Sequence, residues 1–206
     1  MNKYETEQEN FWAGDFGNQY ISRNKGDLLL ASNLNFFNSC LKLAGKVNSC
    51  REFGANIGMN LKALKLLYPA IGLKGIELNA DASNELKKLI GEKNVFHGSI
   101  FDADVKQKVE LSLIKGVLIH ISPEKLQLVY QKLYDSSSKY ILIAEYYNPV
   151  PVTIPYRGHL NRLFKRDFAG EFLNKFKDCE LIDYGFGYKN DPAFPVDDIT
   201  WFLIKK

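Results

Sequence analysis

The sequence lacks any apolar run of about 18 residues, the length that a membrane-spanning helix requires, so no span is expected. Cysteine is scarce. The three present, Cys40, Cys50 and Cys179, are scattered and odd in number, which excludes a disulfide framework and a cysteine metal site and fits a reducing compartment. No metal is expected. Charge of one sign is also missing. Twenty-seven Lys and Arg against 24 Asp and Glu leave a net +3, too mild to argue for nucleic acid, and no basic run interleaves with aromatics early in the chain. Met1 to Asn10 is polar and acidic without the apolar core of a signal peptide, so the expected location is the cytoplasm. There is no repeat, low-complexity tract or linker. A chain of 206 residues is read as one domain spanning 1–206.

What the sequence does hold is a turn. In Arg51-Glu52-Phe53-Gly54-Ala55-Asn56-Ile57-Gly58, an acid and two glycines sit between an apolar segment, Val47 to Phe53, and a helical run, Leu61, Leu64, Leu67 and Tyr68. This reads as strand, glycine turn, helix. Gly54 permits the tight turn, and Gly58 permits close approach of a ligand or of the helix. The helix then points its free N–H groups at whatever the turn holds. The next strand ends at Glu77, about 20 residues on, where an acid can accept hydrogen bonds from a ribose diol. The pair reads as a seat for an adenosine-type cofactor. The plain alternative is an ordinary strand-to-helix turn with a solvated Glu.

The remaining elements follow in order. Residues 3–24 concentrate Phe11, Trp12, Phe16 and Tyr20 among turn residues. They either cap the core edge or form a lid over a ligand, to which Tyr20 and Arg23 would offer a hydroxyl and a cation. Residues 26–45 read as a helix, so 1–45 forms a lid and helix. Helices are also expected over 58–68, ended by Pro69, and over 81–89, closed by Gly91. Asn94 to Asp102 is a short strand running into a polar turn. Glu110 to Ile121 suits a central strand buried on both faces. Ser122-Pro123 opens a helix to about Tyr134, Ser136 to Ser138 is a turn, and Tyr140 to Tyr147 is another buried strand. The long connection 148–166 holds three prolines and the cations Arg157, Arg162, Lys165 and Arg166, and long connections are usually functional. A helix over 167–176 and two antiparallel strands, 181–188 and 199–205, finish the chain. Alternating strands and helices imply an α/β fold: a seven-stranded, mostly parallel sheet with a C-terminal antiparallel pair and helices on both faces.

This order, with Glu52 to Gly58, Glu77, Gly98-Ser99-Ile100 and Lys115 to Ile121, resembles the Rossmann-like class I S-adenosylmethionine-dependent methyltransferases over nearly the whole chain. Asn56 stands where Gly is commonest, and Ser99 where many members carry Asp. An Asn can adopt the left-handed backbone. At finer grain the chain resembles the methylases associated with pseudaminic acid biosynthesis. The segments that carry this are Gln8 to Gly14, Gly17 to Asn24, Lys115 to His120, Ala144 to Pro149, Pro155 to His159 and Leu163 to Gly170.

The resemblance implies S-adenosylmethionine as cofactor, S-adenosylhomocysteine as product, and no metal. It implies that Glu52 and Gly54 meet the methionine end, Glu77 the ribose, and Ser99 and Ile100 the adenine. Tyr20, Arg23, Asn56, Gly58, Leu78, Gly98 and Lys115 complete the cofactor set. The candidate catalytic residues are Lys115, His120 and Glu145. His titrates near neutral pH and suits a general base. The bland readings pair His120 with backbone and Glu145 with nearby cations. Trp12, Tyr146, Tyr147, Tyr156, Arg157, His159, Arg162 and Lys165 are the candidate acceptor-binding residues. Arg offers a fork for carboxylate or phosphate, although a solvated basic loop is the alternative. The expected activity is methyl transfer to N or O of a small anionic metabolite such as a nonulosonic sugar acid or its nucleotide-activated form. The expected partner is that metabolite, with no nucleic acid and no membrane, in a monomer or homodimer. An NAD(P)-dependent oxidoreductase would share the turn and the ribose acid, and a non-catalytic binding protein would share the whole site.

Overall fold

A computed structural model describes residues 4–206; the first three residues of the polar segment Met1 to Asn10 lie outside that range. The leader is helical rather than turn-rich. Thr6 accepts the Glu9 N–H while the Glu9 carboxylate accepts the Thr6 N–H, a reciprocal cap that starts α1 (Glu7–Ala13). Gly14 joins it to α2 (Asp15–Ile21), and α3 (Asp27–Cys40) follows, stopping before the expected Gly45 in a turn over 41–44.

The parallel units come next. They are β1 (Ser49–Phe53), α4 (Met59–Leu67), β2 (Gly72–Glu77), α5 (Ala80–Ile90), β3 (Val95–His97), β4 (Val109–Lys115), α6 (Leu126–Ser136) and β5 (Ser137–Glu145). A two-stranded hairpin, β6 (Val152–Tyr156) and β7 (His159–Lys165), then precedes α7 (Phe168–Lys175), β8 (Glu180–Gly187) and β9 (Ile199–Lys205). The seven-stranded sheet runs β3-β2-β1-β4-β5-β9-β8. β1, β2, β3, β4 and β5 pair in parallel, while β9 runs antiparallel to β5 and β8 antiparallel to β9.

Side chains alternate across the sheet as period two requires. Leu111, Leu113, Leu142 and Leu203 pack under α3, α4 and α5, with Phe37, Leu64 and Leu86. Ile114, Ile141, Ile143 and Ile204 pack on the other face under α6 and α7, with Tyr130, Leu133 and Phe172. β4 is buried on both faces, as its apolar run predicts. It ends at Lys115, however, not at Ile121. Gly116 turns the chain at φ +67°, and Leu118–His120 forms one 3-10 turn. The serine run is no turn either, because Ser136 ends α6 and Ser137 begins β5.

The connection 148–166 is the largest departure. Val152, Ile154 and Tyr156 alternate along β6, but Pro151 and Pro155 mask the pattern in sequence. The hairpin stays outside the main sheet, and its tip, Arg157-Gly158, takes positive φ at both residues. No helix among the described residues is long and apolar enough to cross a membrane.

The glycine turn is built as read. Gly54 has φ +75°, and a Cβ there would stand 2.6 Å from the Val117 side chain. Asn56 is left-handed at φ +49°. A β-branched residue in that conformation costs about 1–2 kcal/mol. Asn56→Val is therefore expected to lose about that much more stability than Asn56→Gly in urea unfolding. Equal losses would mean that the turn relaxes out of the left-handed region.

Candidate active site

Open parallel sheets bind ligands beyond the carboxyl ends of their strands, where the strand order reverses. Here that point lies between β1 and β4. A cavity of about 520 Å³ occupies it. Its floor comes from Gly54 and Asn56 after β1, Glu77 and Leu78 at the end of β2, Ser99 and Ile100 after β3, and Lys115 at the end of β4. Trp12, Tyr20 and Arg23 cover it from the α1–α2 side, and Lys189 and Asp197 border it from the β8–β9 loop.

Glu77 is held rigidly. Asn56 N–H donates to Oε2 at 2.6 Å and Asn79 N–H to Oε1 at 2.7 Å. Burial raises its pKa, opposed by backbone N–H groups from Asn79, Asn56 and Leu78. Glu52 lies beneath the floor rather than in it, beside Asn60 and Lys115, which do line the cavity. Asn60 Nδ2 donates to its Oε1 at 2.6 Å, while Oε2 is buried without a partner. Burial pushes this carboxyl up to about 8. Lys115 contacts Asn33 Oδ1 at 3.5 Å and stands 5.4 Å above the Phe36 ring. Burial lowers its pKa, with Glu52 and Asp197 opposing.

His120 lines the cavity and is 8% exposed. Its Nδ1 sits 2.6 Å from the Arg162 carbonyl oxygen in β7. A carbonyl only accepts, so Nδ1 carries the proton and Nε2 keeps a free lone pair. Burial depresses the pKa to about 4, so the ring is neutral at physiological pH. The Trp12 and Tyr156 rings flank it at 4.6 and 5.0 Å.

Glu145 requires a correction. It does not reach the cavity lining, and its oxygens are occupied by backbone. Val117 and Leu118 N–H donate to Oε1 at 2.9 Å, and Ile119 N–H to Oε2 at 3.4 Å. It fastens the turn that carries His120. Burial raises its pKa to about 7 against those three donors.

Other candidates also lie off the lining. Gly58, at φ +86°, packs against Leu86 and Leu89, so its freedom serves the α4–α5 contact. Gly98 lies under the Phe96 ring. Tyr146 bonds to Asp197 and lies beneath Lys165, and Tyr147 is exposed against Phe202. Tyr156 backs the lining through its ring contacts, and His159 packs on Phe11 and Phe16. Arg162 is taken by Glu7 at 3.1 Å and stacks over Phe11. Of the hairpin cations only Arg157 lines the cavity, and it has no acidic partner among the described residues.

The sequence reading missed Asn33, Asn60, Asn79, Lys189 and Asp197. Asn79 was findable, since it caps α5 directly after the Glu77 strand. It also holds the lid, with its Nδ2 donating to Asn18 Oδ1 at 2.6 Å and to the Trp12 carbonyl at 3.3 Å. A Cβ at Gly17 would collide with that same carbonyl and stand 2.9 Å from Asn79 Nδ2.

No family model matches the sequence, and no curated protein matches it closely. Solved structures do match in fold. A Burkholderia thailandensis 1,6-didemethyltoxoflavin-N1-methyltransferase, with its acceptor and S-adenosylhomocysteine bound, aligns with a TM-score of 0.71 at 11% identity, covering 97% of this chain and 86% of that one. Magnesium protoporphyrin IX methyltransferase from Synechocystis PCC 6803, with bound S-adenosylmethionine, gives 0.70 at 9% identity over 100% of both chains. Mitomycin 7-O-methyltransferase gives 0.67 at 12% identity over 98% of this chain, which spans only 61% of that protein's length. The fold is thus the Rossmann-like fold of class I methyltransferases.

Two outcomes follow from this geometry. Gly17→Ala should unseat α1 and α2 without unfolding the sheet, seen as faster amide exchange over 7–21 with protection in β4 and β5 retained. Unchanged exchange over 7–21 would show that the lid does not depend on this contact. The His120 ring should stay neutral down to about pH 5 while the unfolded chain takes up a proton below 6.5. Its folded pKa lies below the unfolded value, so its contribution to stability is lost as pH falls. At pH 5 the loss is roughly 2 kcal/mol relative to pH 7, and urea unfolding of His120→Asn should lack that component.

Proposed function

We propose that the protein is an S-adenosylmethionine-dependent methyltransferase that acts on N or O of a small, polar, anionic metabolite. The observation that carries this reading is Glu77, pinned by two backbone N–H groups at the switch-point cavity and open to further hydrogen bonds. Its fixed carboxylate suits a ribose diol, Leu78, Ser99 and Ile100 suit an adenine, and Gly54 leaves room beside Asn56. Asn60, which lines the cavity and is held from below by Glu52, suits the methionine end.

When bound, S-adenosylmethionine supplies an electrophilic methyl group. The chain's task is to hold the acceptor in line with it and to exclude water. Trp12 and Tyr20 cover the cavity. Neutral His120, with its tautomer fixed by the Arg162 carbonyl, accepts a hydrogen bond from the acceptor's N–H or O–H on Nε2 and orients it; its lowered pKa makes it a weak base, so its role is positioning more than proton removal. Glu145 keeps that ring in place through the 117–119 turn. Arg157, free of acidic partners among the described residues, faces the acceptor's anionic group. The sequence resemblance to methylases associated with pseudaminic acid biosynthesis supports a nonulosonic acid, or its nucleotide-activated form, as acceptor.

Thermal shift separates this reading from a nicotinamide enzyme. S-adenosylhomocysteine is expected to stabilise the protein and NAD is not. Glu77→Ala removes charge-assisted hydrogen bonds worth roughly 1.5–3 kcal/mol each, so affinity for S-adenosylhomocysteine should fall tenfold or more. Stabilisation by NAD alone would sink the proposal. Methyl-labelled cofactor incubated with a metabolite extract should then mark an anionic compound, with Arg157→Ala reducing the label.

A further inference from the structure

The main sheet ends on β8, and no further strand among the described residues pairs with it. Edge strands are normally blunted by lysine, proline, shortness or a bulge. β8 is eight residues long and holds neither lysine nor proline. Its one irregularity, the register shift between Leu181 and Asp183, lies at the strand's beginning. The backbone from Asp183 onward presents an open edge.

The two faces of this edge differ. One packs toward α3, and Lys42, in the turn after that helix, holds Asp183 at 3.5 Å. On the other, Tyr184, Phe186 and Tyr188 follow at period two and are 67%, 61% and 51% exposed. The rings continue the stripe inward, with Tyr184 at 6.4 Å and Tyr147 at 6.2 Å from Phe202. Contiguous exposed aromatics of this kind mark an interaction surface.

We infer that β8 is the contact strand of a two-fold homodimer, pairing antiparallel with the same strand of a second copy about Phe186. A second copy is the occupant because the edge complements itself. Pairing centred on Phe186 sets Tyr184 against the partner's Tyr188, twice, and Phe186 against the partner's Phe186, so every exposed ring gains an aromatic neighbour. The bulge closes it on one side and the β8–β9 loop on the other, leaving Asp183 to Gly187 of β8, with Tyr188 just beyond the strand's end. Isologous contacts of this type close as dimers and leave no free edge to propagate. Lys189 and Asp197 of that loop also border the cavity, so the joined edges lie beside the two sites.

Sedimentation equilibrium of the full chain tests this. The expected mass is twice the 23.5 kDa of one chain, falling to one chain in Phe186→Lys and in Tyr184→Lys. Both positions are exposed, so each variant should keep a native far-UV spectrum and a cooperative melt that S-adenosylhomocysteine still raises, at a midpoint lowered only by the lost association. Residues facing each other across antiparallel strands stand within disulfide reach. Phe186→Cys should therefore cross-link to itself under mild oxidation, and Leu160→Cys, equally exposed, should not. A native chain that sediments as one copy at every concentration overturns the proposal. So does a dimer that survives both lysine variants, or a dimeric Phe186→Cys chain that fails to cross-link.

Discussion

Burying a carboxylate is costly unless hydrogen bonds replace the water it gives up. Glu145 meets that condition with three backbone N–H groups from one turn, and the site depends on the exchange. The turn lies between a glycine at φ +67° and a 3-10 segment, a stretch with little regular bonding of its own. Anchored by Glu145, it places Val117 against Gly54 and His120 against Trp12. The glycine turn and His120 are thus fixed by the same buried group, which itself does not line the cavity.

The hairpin works through similar means. It lies outside the main sheet, yet its strand β7 supplies the Arg162 carbonyl that sets the His120 tautomer. Its cation Arg162 holds Glu7, and Gln8 donates to the Asn161 carbonyl at 3.0 Å. The α1–α2 cover, His120 and Arg157 therefore share one support. A change in the hairpin bears on all three.

The sheet was legible because period two and period 3.6 are written into long apolar runs such as Glu110 to Ile114 and Tyr140 to Ala144. The glycine turn and Glu77 were legible because backbone geometry restricts which residues fit there. Charges were harder to read. Arg157 and Arg162 sit five residues apart in one cationic segment, and only folding shows that one is free and the other spent on Glu7. Glu145 read as chemistry because a carboxylate at a strand end has two uses, and sequence does not reveal where its hydrogen bonds go. Asp197 was invisible for a related reason. It reaches the cavity from a loop that carries no periodic signal.

The lid brings together parts of the chain that are made at different times. Trp12 rests on His120, Gly17 and Asn18 rest on Asn79, and Glu7 waits for Arg162, 155 residues further along. During synthesis the α1–α2 segment emerges well before the hairpin and has no complete seat until the hairpin has followed it. The nascent chain therefore carries Phe11, Trp12 and Phe16 without their later partners while the sheet is being made, and an early segment is among the last to dock.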